Sequence, residues 1–428
     1  MVNRKQAPTT GLLEAKPFPP VEKKQLSNGT DVYLLAVGTE PVVEIQIVFP
    51  GGSSYEPQVG VASLAGKLFT EGTERFSSAA LAQKLDFYGA FFDVDTGYEI
   101  TSFALSTLSR RLPETIDLLQ EIIFHATFPP HEFDLLKERL VQKLKVDEQK
   151  TDYWARKKFL ANIFGSRHPY GSTMGLEELK SIGCTTLWSY YLEHLRKSPY
   201  TIFVAGKYDA KQVMELLEKY FATSKPQPSP YTSKAKDCPL EPKLGLETIS
   251  LPDHPQATLR VGHPLIPRNH PDYYKLRLVV MILGGYFGSR LMKNIREDKG
   301  YTYGIYSSML ALKYTGILSI GADVGKEFVP ATLQEIHKEI RRMQVETISE
   351  TELQVAKNYL LGKLITELET PGEVVDTYKN LWVHEIPVAD YEHSFEIIQS
   401  TTAAEVQRLS QLYFHPDRLT EVVCGENS

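Results

Sequence analysis

Two stretches of this 428-residue chain hold residue types and spacings on which chemistry could be built. The first is Gly60-Val-Ala-Ser63-Leu-Ala-Gly66-Lys67-Leu-Phe-Thr-Glu-Gly72-Thr73. Val61, Leu64, Ala65 and Leu68 recur at three- and four-residue spacing, which predicts a short helix with Gly72 near its end. Ser63, Gly66 and Lys67 then share the opposite face, one turn apart. A hydroxyl, a hydrogen and an ammonium on that face offer a metal ion no ligand set. The second stretch runs from Leu283-Gly284-Gly285 through Gly288-Ser289-Arg290-Leu291 to Arg296-Glu297-Asp298-Lys299-Gly300-Tyr301-Thr302-Tyr303. The guanidinium of Arg296 and the phenol of Tyr303 are donors suited to a peptide carbonyl, and better suited to an oxyanion developing on it. The pair taken alone has a plainer account, with Arg296 neutralising a helix C-terminus and Tyr303 packing on a sheet.

The elements that must position these residues have an α+β pattern. Ser27-Asn28-Gly29 between Leu26 and Val32-Tyr-Leu-Leu predicts a tight hairpin. Val43, Ile45, Ile47 and Phe49 alternate as in a half-buried strand, and Tyr98 to Leu105 forms another. Pro113 opens a helix with Glu114 in its first turn. The second half repeats the sequence of signals, with a strand from Gly316 and a helix over Pro330 to Met343. Strand runs followed by helix runs imply an antiparallel-leaning sheet with helices on one face.

The halves echo each other in detail. Leu119-Gln-Glu-Ile122 recurs as Leu333-Gln-Glu-Ile336. Glu132, Lys137, Leu140, Lys143 and Leu144 recur as Glu352, Lys357, Leu360, Lys363 and Leu364, at an unbroken shift of 220. Each half closes on a β-rich run ending in Gly, at Gly206 and Gly425. Between the halves, residues 224–245 contain five prolines and no apolar periodicity, the composition of an extended, hydrogen-bond-poor linker. The expected organisation is an internal duplication: a domain over 1–223, the linker over 224–245, and a second domain over 246–428.

Composition narrows the function classes. Hydrophobic residues make 42% and charged residues 23%, as in a globular protein. A net charge of −6 gives no electrostatic reason to expect nucleic acid. Cys184, Cys238 and Cys424 are odd in number, scattered and without a C-x-x-C pair, which argues against a disulfide framework or thiolate zinc site. No phosphate-binding glycine loop follows a strand. Ser63 has no neighbouring His and no G-x-S-x-G elbow exists, so an independent serine hydrolase has no support. The longest apolar run, Leu276 to Phe287, is broken by Arg277 and too short for a bilayer. No signal peptide is visible after Met1, so a cytoplasmic location is expected if Met1 is native, and a periplasmic or organellar one if a targeting segment was removed.

The 60–73 frame resembles the zinc helix of the pitrilysin/insulinase metallopeptidases, G-x-A-H-x-x-E-H-x-x-F-x-G-T. In that family the two His bind zinc and the Glu is the general base. Those slots hold Ser63, Gly66 and Lys67 here, and Lys67 puts a charge without a lone pair where the cation would sit. The family's third ligand, a Glu on the next long helix, falls nearest Leu144 and Lys145, with Glu148 reached only by a slip of register. Among the eleven His there is no His-x-x-Glu-His; His384-Glu385 and Glu392-His393 come nearest and are read as structural or surface residues. Gly51 to Glu56 is read as a plain loop, and His168-Pro-Tyr-Gly171 resembles a turn common in these peptidases. The 283–303 block is similar to the family's signature of glycines, S-R-L and R-E-x-x-G-x-x-Y.

The resemblance implies two homologous α+β domains of the kind found in mitochondrial processing peptidase. It also implies a zinc-less subunit that binds an extended peptide by strand addition and closes against a zinc-bearing partner of the same family. Arg296 and Tyr303 would then act in trans on the substrate, with Gly284 and Gly285 beside them at the peptide. Zinc is expected in the partner and none in this chain; a homodimer is possible in the partner's absence. The competing reading is a structural or peptide-binding core protein with no part in proteolysis.

Overall fold

The turn at Ser27-Asn28-Gly29 forms as the sequence predicts: β1 (Val21–Gln25) pairs antiparallel with β2 (Asp31–Ala36), and Gly29 at φ 92° takes a left-handed conformation that L side chains rarely adopt. In this computed structural model, which describes residue 13 and residues 15–223, 225–229 and 231–426, the hairpin begins a six-stranded sheet. Its other strands are β3 (Val42–Pro50), β4 (Phe91–Thr96), β5 (Ile100–Leu108) and β6 (Thr201–Gly206), in the order β1-β2-β6-β3-β5-β4. A second sheet contains β7 (Gly245–Ser250), β8 (Gln256–Leu265), β9 (Thr302–Ala311), β10 (Gly316–Gly325) and β11 (Thr420–Glu426), in the order β7-β11-β8-β10-β9.

Without β1, the two orders coincide strand for strand. In each, the leading pair is parallel (β2 with β6, β7 with β11) and the remaining pairs are antiparallel. The connections repeat too. β5 leads through Ser109–Arg111 into the helix Leu112–Phe124, which carries Leu119–Ile122; β10 leads through Lys326–Phe328 into Val329–Val345, which carries Leu333–Ile336. Both helices have proline in the first turn. The next helices, Pro130–Asp147 and Glu350–Thr366, hold the second set of matched residues. The chain is therefore two homologous α+β units with mostly antiparallel sheets.

Each unit covers one face of its sheet with its own helices and lends a helix to the other. The helix Thr151–Phe164 packs on β8 and β11 of the second sheet, and Pro371–Val383 packs on β3 and β6 of the first. Their first residues lie 220 apart, the register of the duplication, so the exchange is reciprocal. This corrects the expectation for β3. Its interior is buried on both faces, because Glu44 and Gln46 face the borrowed helix, only 8% and 3% exposed. Gln46 donates to Asp376 at 3.1 Å and accepts from Lys379 at 2.7 Å, so its amide is bonded across the interface.

The proline-rich segment also differs from expectation. Lys234 N–H donates to Ser54 O (2.9 Å) and its ammonium to Glu56 O (2.7 Å), Lys243 N–H donates to Asn162 O (2.7 Å), and Ala235 is buried. Prolines remove donors from this stretch, but the residues between them bond to the first unit.

Candidate functional site

The predicted helix forms over Val61–Leu68, with Val61, Leu64, Ala65 and Leu68 buried in the first unit's core. Its N-terminal N–H groups are satisfied from the loop before it: the Glu56 carboxylate accepts from Gly60 and Ala62, both at 2.9 Å. The 51–56 loop is thus a helix cap rather than a plain connection. Ser63 and Lys67 are exposed one turn apart, while Gly66 is buried. The helix lies against β4 at Gly66, where a Cβ would stand 2.8 Å from Thr96 Oγ1 and 3.4 Å from Val94 Cγ1. A cavity of about 560 Å³ opens beside Ser63, bounded by Glu56, Tyr98, Tyr153, Arg156 and Lys157 among others, all from the first unit.

These residues do not fit zinc. Ser63 and Lys67 supply no imidazole, and the Gly66 position has no room for a side chain without displacing Thr96. Lys145 is exposed and Leu144 packs at the core margin on the next long helix. Glu148 is the C-cap of that helix, its carbonyl accepting from the Trp154 indole at 2.8 Å. Among the described residues no group of three or more His, Cys, Asp or Glu is placed to hold a metal ion.

Sequence reasoning missed two buried acids, one capping this helix and one bonded to the loop before it. Glu56 is 5% exposed, and burial pushes its carboxyl up to about 7 against the opposing bonds from Ala62 and Gly60. Glu99 is buried as well and accepts from the Tyr170 hydroxyl (2.5 Å), Ser54 (3.2 Å) and Ser233 (3.3 Å). His168 Nδ1 accepts from Tyr170 N–H at 3.0 Å, so the His-Pro-Tyr-Gly turn aims that tyrosine at Glu99. The available signal was Glu56, four residues before a helix-opening Gly.

In the second unit, the helix from Tyr273 continues to Gly285 and stops against β9, where a Cβ on Gly284 would stand 2.6 Å from Ser307 N. A Cβ on Gly285 would meet Met281 Sδ at 2.6 Å. Both glycines therefore permit close packing of this helix end. Arg296 lies on the following helix, Met292–Asp298, with its guanidinium 4.5 Å from the centroid of the exposed Phe287 ring. Gly300, at φ 67°, turns the chain into β9. Tyr303 is the second residue of that edge strand and 91% exposed. Arg296 and Tyr303 thus flank one turn at a sheet edge, and neither lines the cavity beside Ser63.

Family models match both units: residues 32–175 match insulinase, peptidase family M16, and residues 182–360 match the peptidase M16 inactive domain. The chain belongs to the M16 peptidase family. It is 25% identical over 398 residues to an uncharacterized zinc protease of Bacillus subtilis, YmxG, covering 92% of this chain and 94% of that protein. It is 23% identical over 389 residues to the non-peptidase homolog YmxG of Helicobacter pylori, covering 89% and 88%. The fold matches that of an M16 inactive domain from Pseudomonas fluorescens with a TM-score of 0.87 at 22% identity, over 95% of this chain and 98% of that one. It also matches about half of the Escherichia coli periplasmic protease PqqL, with a TM-score of 0.81 at 18% identity, over 99% of this chain and 49% of that one. Within the M16 family the chain is of the inactive type. No helix among the described residues is long and apolar enough to cross a membrane.

Proposed function

We propose that this chain is the zinc-less subunit of an M16 heterodimer. It pairs with a zinc-bearing relative, holds an extended peptide by strand addition to a sheet edge, and supplies Arg296 and Tyr303 in trans. The observation that carries this reading is the exposure of Tyr303 at a free edge strand, one glycine turn from Arg296. Among the described residues no hydrogen bond or ring contact engages that phenol. The partner supplies metal, water and general base, and this chain orients the peptide and adds donors to its carbonyl. The proline-rich segment 224–245 is the joint between the two units.

The test is reconstitution. The purified chain alone should not cleave unstructured peptides, and a mixture with a zinc-bearing M16 relative should. A chelator-sensitive rate from this chain alone would refute the reading. A mixture no faster than the zinc-bearing chain by itself would leave the structural alternative as the better account.

A further inference from the structure

Arg268 is a buried cation with no carboxylate bonded to it among the described residues. It lies in the loop between β8 and the helix Tyr273–Val280, its N–H bonded to Leu312 O at 3.0 Å, and is 8% exposed. Its guanidinium stacks 3.8 Å from the Tyr273 ring centroid and 5.1 Å from that of Tyr274, and donates to the Tyr274 hydroxyl at 3.3 Å. Among the described residues it forms no ion pair. Of the acids that border its cavities, Glu367 pairs with Arg277 (2.9 Å) and Asp376 with Lys379 (2.7 Å), while Asp390 and Glu396 form no ion pair with it among the described residues. Arg277 and Arg290 each have a carboxylate of their own, in Glu367 and Glu352. A guanidinium cannot lose its proton, so burial leaves an uncompensated charge that two ring faces offset only in part.

The side chain borders two cavities, of about 540 Å³ and 380 Å³. The larger has apolar walls at Pro271, Tyr273, Ile386 and Ile397, and its polar lining includes His270, His393 and the exposed Asp390 and Glu396. We propose that this cavity binds a monocarboxylate with an apolar body, the carboxylate taking the open edge of the Arg268 guanidinium. The planar fork matches two carboxylate oxygens. The negative charges of Asp390 and Glu396 disfavour a dianion such as a phosphate monoester. The carboxylate can belong to a small organic acid or to a peptide C-terminus. The site shares no residue with the Arg296–Tyr303 turn, so its fate is independent of the heterodimer reading.

Calorimetric titration of the full chain decides it. The probes are N-acetylphenylalanine, a hexapeptide ending in a free phenylalanine carboxylate, the same peptide as its C-terminal amide, and inorganic phosphate. One or both acids should bind, the tighter identifying the source, while the amide and phosphate should not. Arg268→Met keeps the apolar length and should fold, judged by its denaturation midpoint, yet weaken the acid by roughly tenfold or more, the loss of a charge-assisted pair. Tyr274→Phe removes the hydroxyl that orients the guanidinium and should weaken it less; it serves as the reading if Arg268→Met does not fold. Failure of both acids to bind, equal binding of the amide, or unchanged affinity in a folded variant would overturn the site.

Discussion

Gly66→Ala tests whether the Val61–Leu68 helix is closed sterically against β4. In an open helix interior, replacing Gly by Ala stabilises by about 0.5–1 kcal/mol. Here the new Cβ would meet Thr96 Oγ1 at 2.8 Å and Val94 Cγ1 at 3.4 Å. Thr96 is β-branched, with a restricted χ1, and paired with Thr101 in the sheet, so its hydroxyl can move away only by leaving its rotamer or by shifting β4. Overpacking of this kind costs about 1–3 kcal/mol, and subtracting the helix gain leaves a net loss of about 1 kcal/mol. Thr96→Ala removes the obstructing oxygen, and in that background Gly66→Ala should turn stabilising by about 0.5–1 kcal/mol. Urea denaturation of the four proteins in the cycle gives a coupling of about 1.5–2 kcal/mol if the reasoning holds. An equal effect of Gly66→Ala in both backgrounds would refute it, as would full Ala-type stabilisation of the wild-type chain, for the helix would then have room for a longer side chain.

The triple replacement Ser63→His, Gly66→Glu and Lys67→His should retain no stoichiometric zinc after dialysis, because the Glu slot is obstructed and Leu144 and Lys145 supply no distal ligand; one zinc per chain by metal analysis would contradict this. Glu56, with a folded pKa of about 7 against 4.5 unfolded, contributes stability that is present below pH 4.5 and lost as pH rises through 7. Glu56→Gln keeps one acceptor for the helix cap, so it should be less stable than wild type by about 1 kcal/mol near pH 5 and equal or more stable near pH 8; a pH-independent difference in denaturation midpoint would show that Glu56 is ionised throughout. In a reconstituted heterodimer, Tyr303→Phe should lower turnover by about 3–4 kcal/mol in barrier, roughly 100- to 1000-fold, with little change in partner affinity. Arg296→Ala should also raise KM, since a cation contacts ground-state carbonyls too; wild-type steady-state kinetics for both would make these residues structural.

Helix and strand positions, the duplication and the empty ligand slots were legible in the sequence because each is local or periodic. The 220-residue register even aligns the two helices exchanged between units, Thr151–Phe164 and Pro371–Val383. What it could not convey is that they are exchanged. Glu44 and Gln46 alternate with Val43, Ile45 and Ile47 as a solvent face does, and only Asp376 and Lys379, more than 300 residues away, make that face an interface. The same limit hid the two buried acids. Glu56 and Glu99 look like surface carboxylates until Tyr170 and Ser233 are placed against one and the helix N-terminus over the other. Burying a carboxylate is costly unless donors meet it, and these donors come from the 51–62 loop and helix, from the 168–171 turn and from the proline-rich joint. What holds the 61–68 helix and its loop in place is therefore this buried polar support, and it involves neither Ser63 nor Lys67.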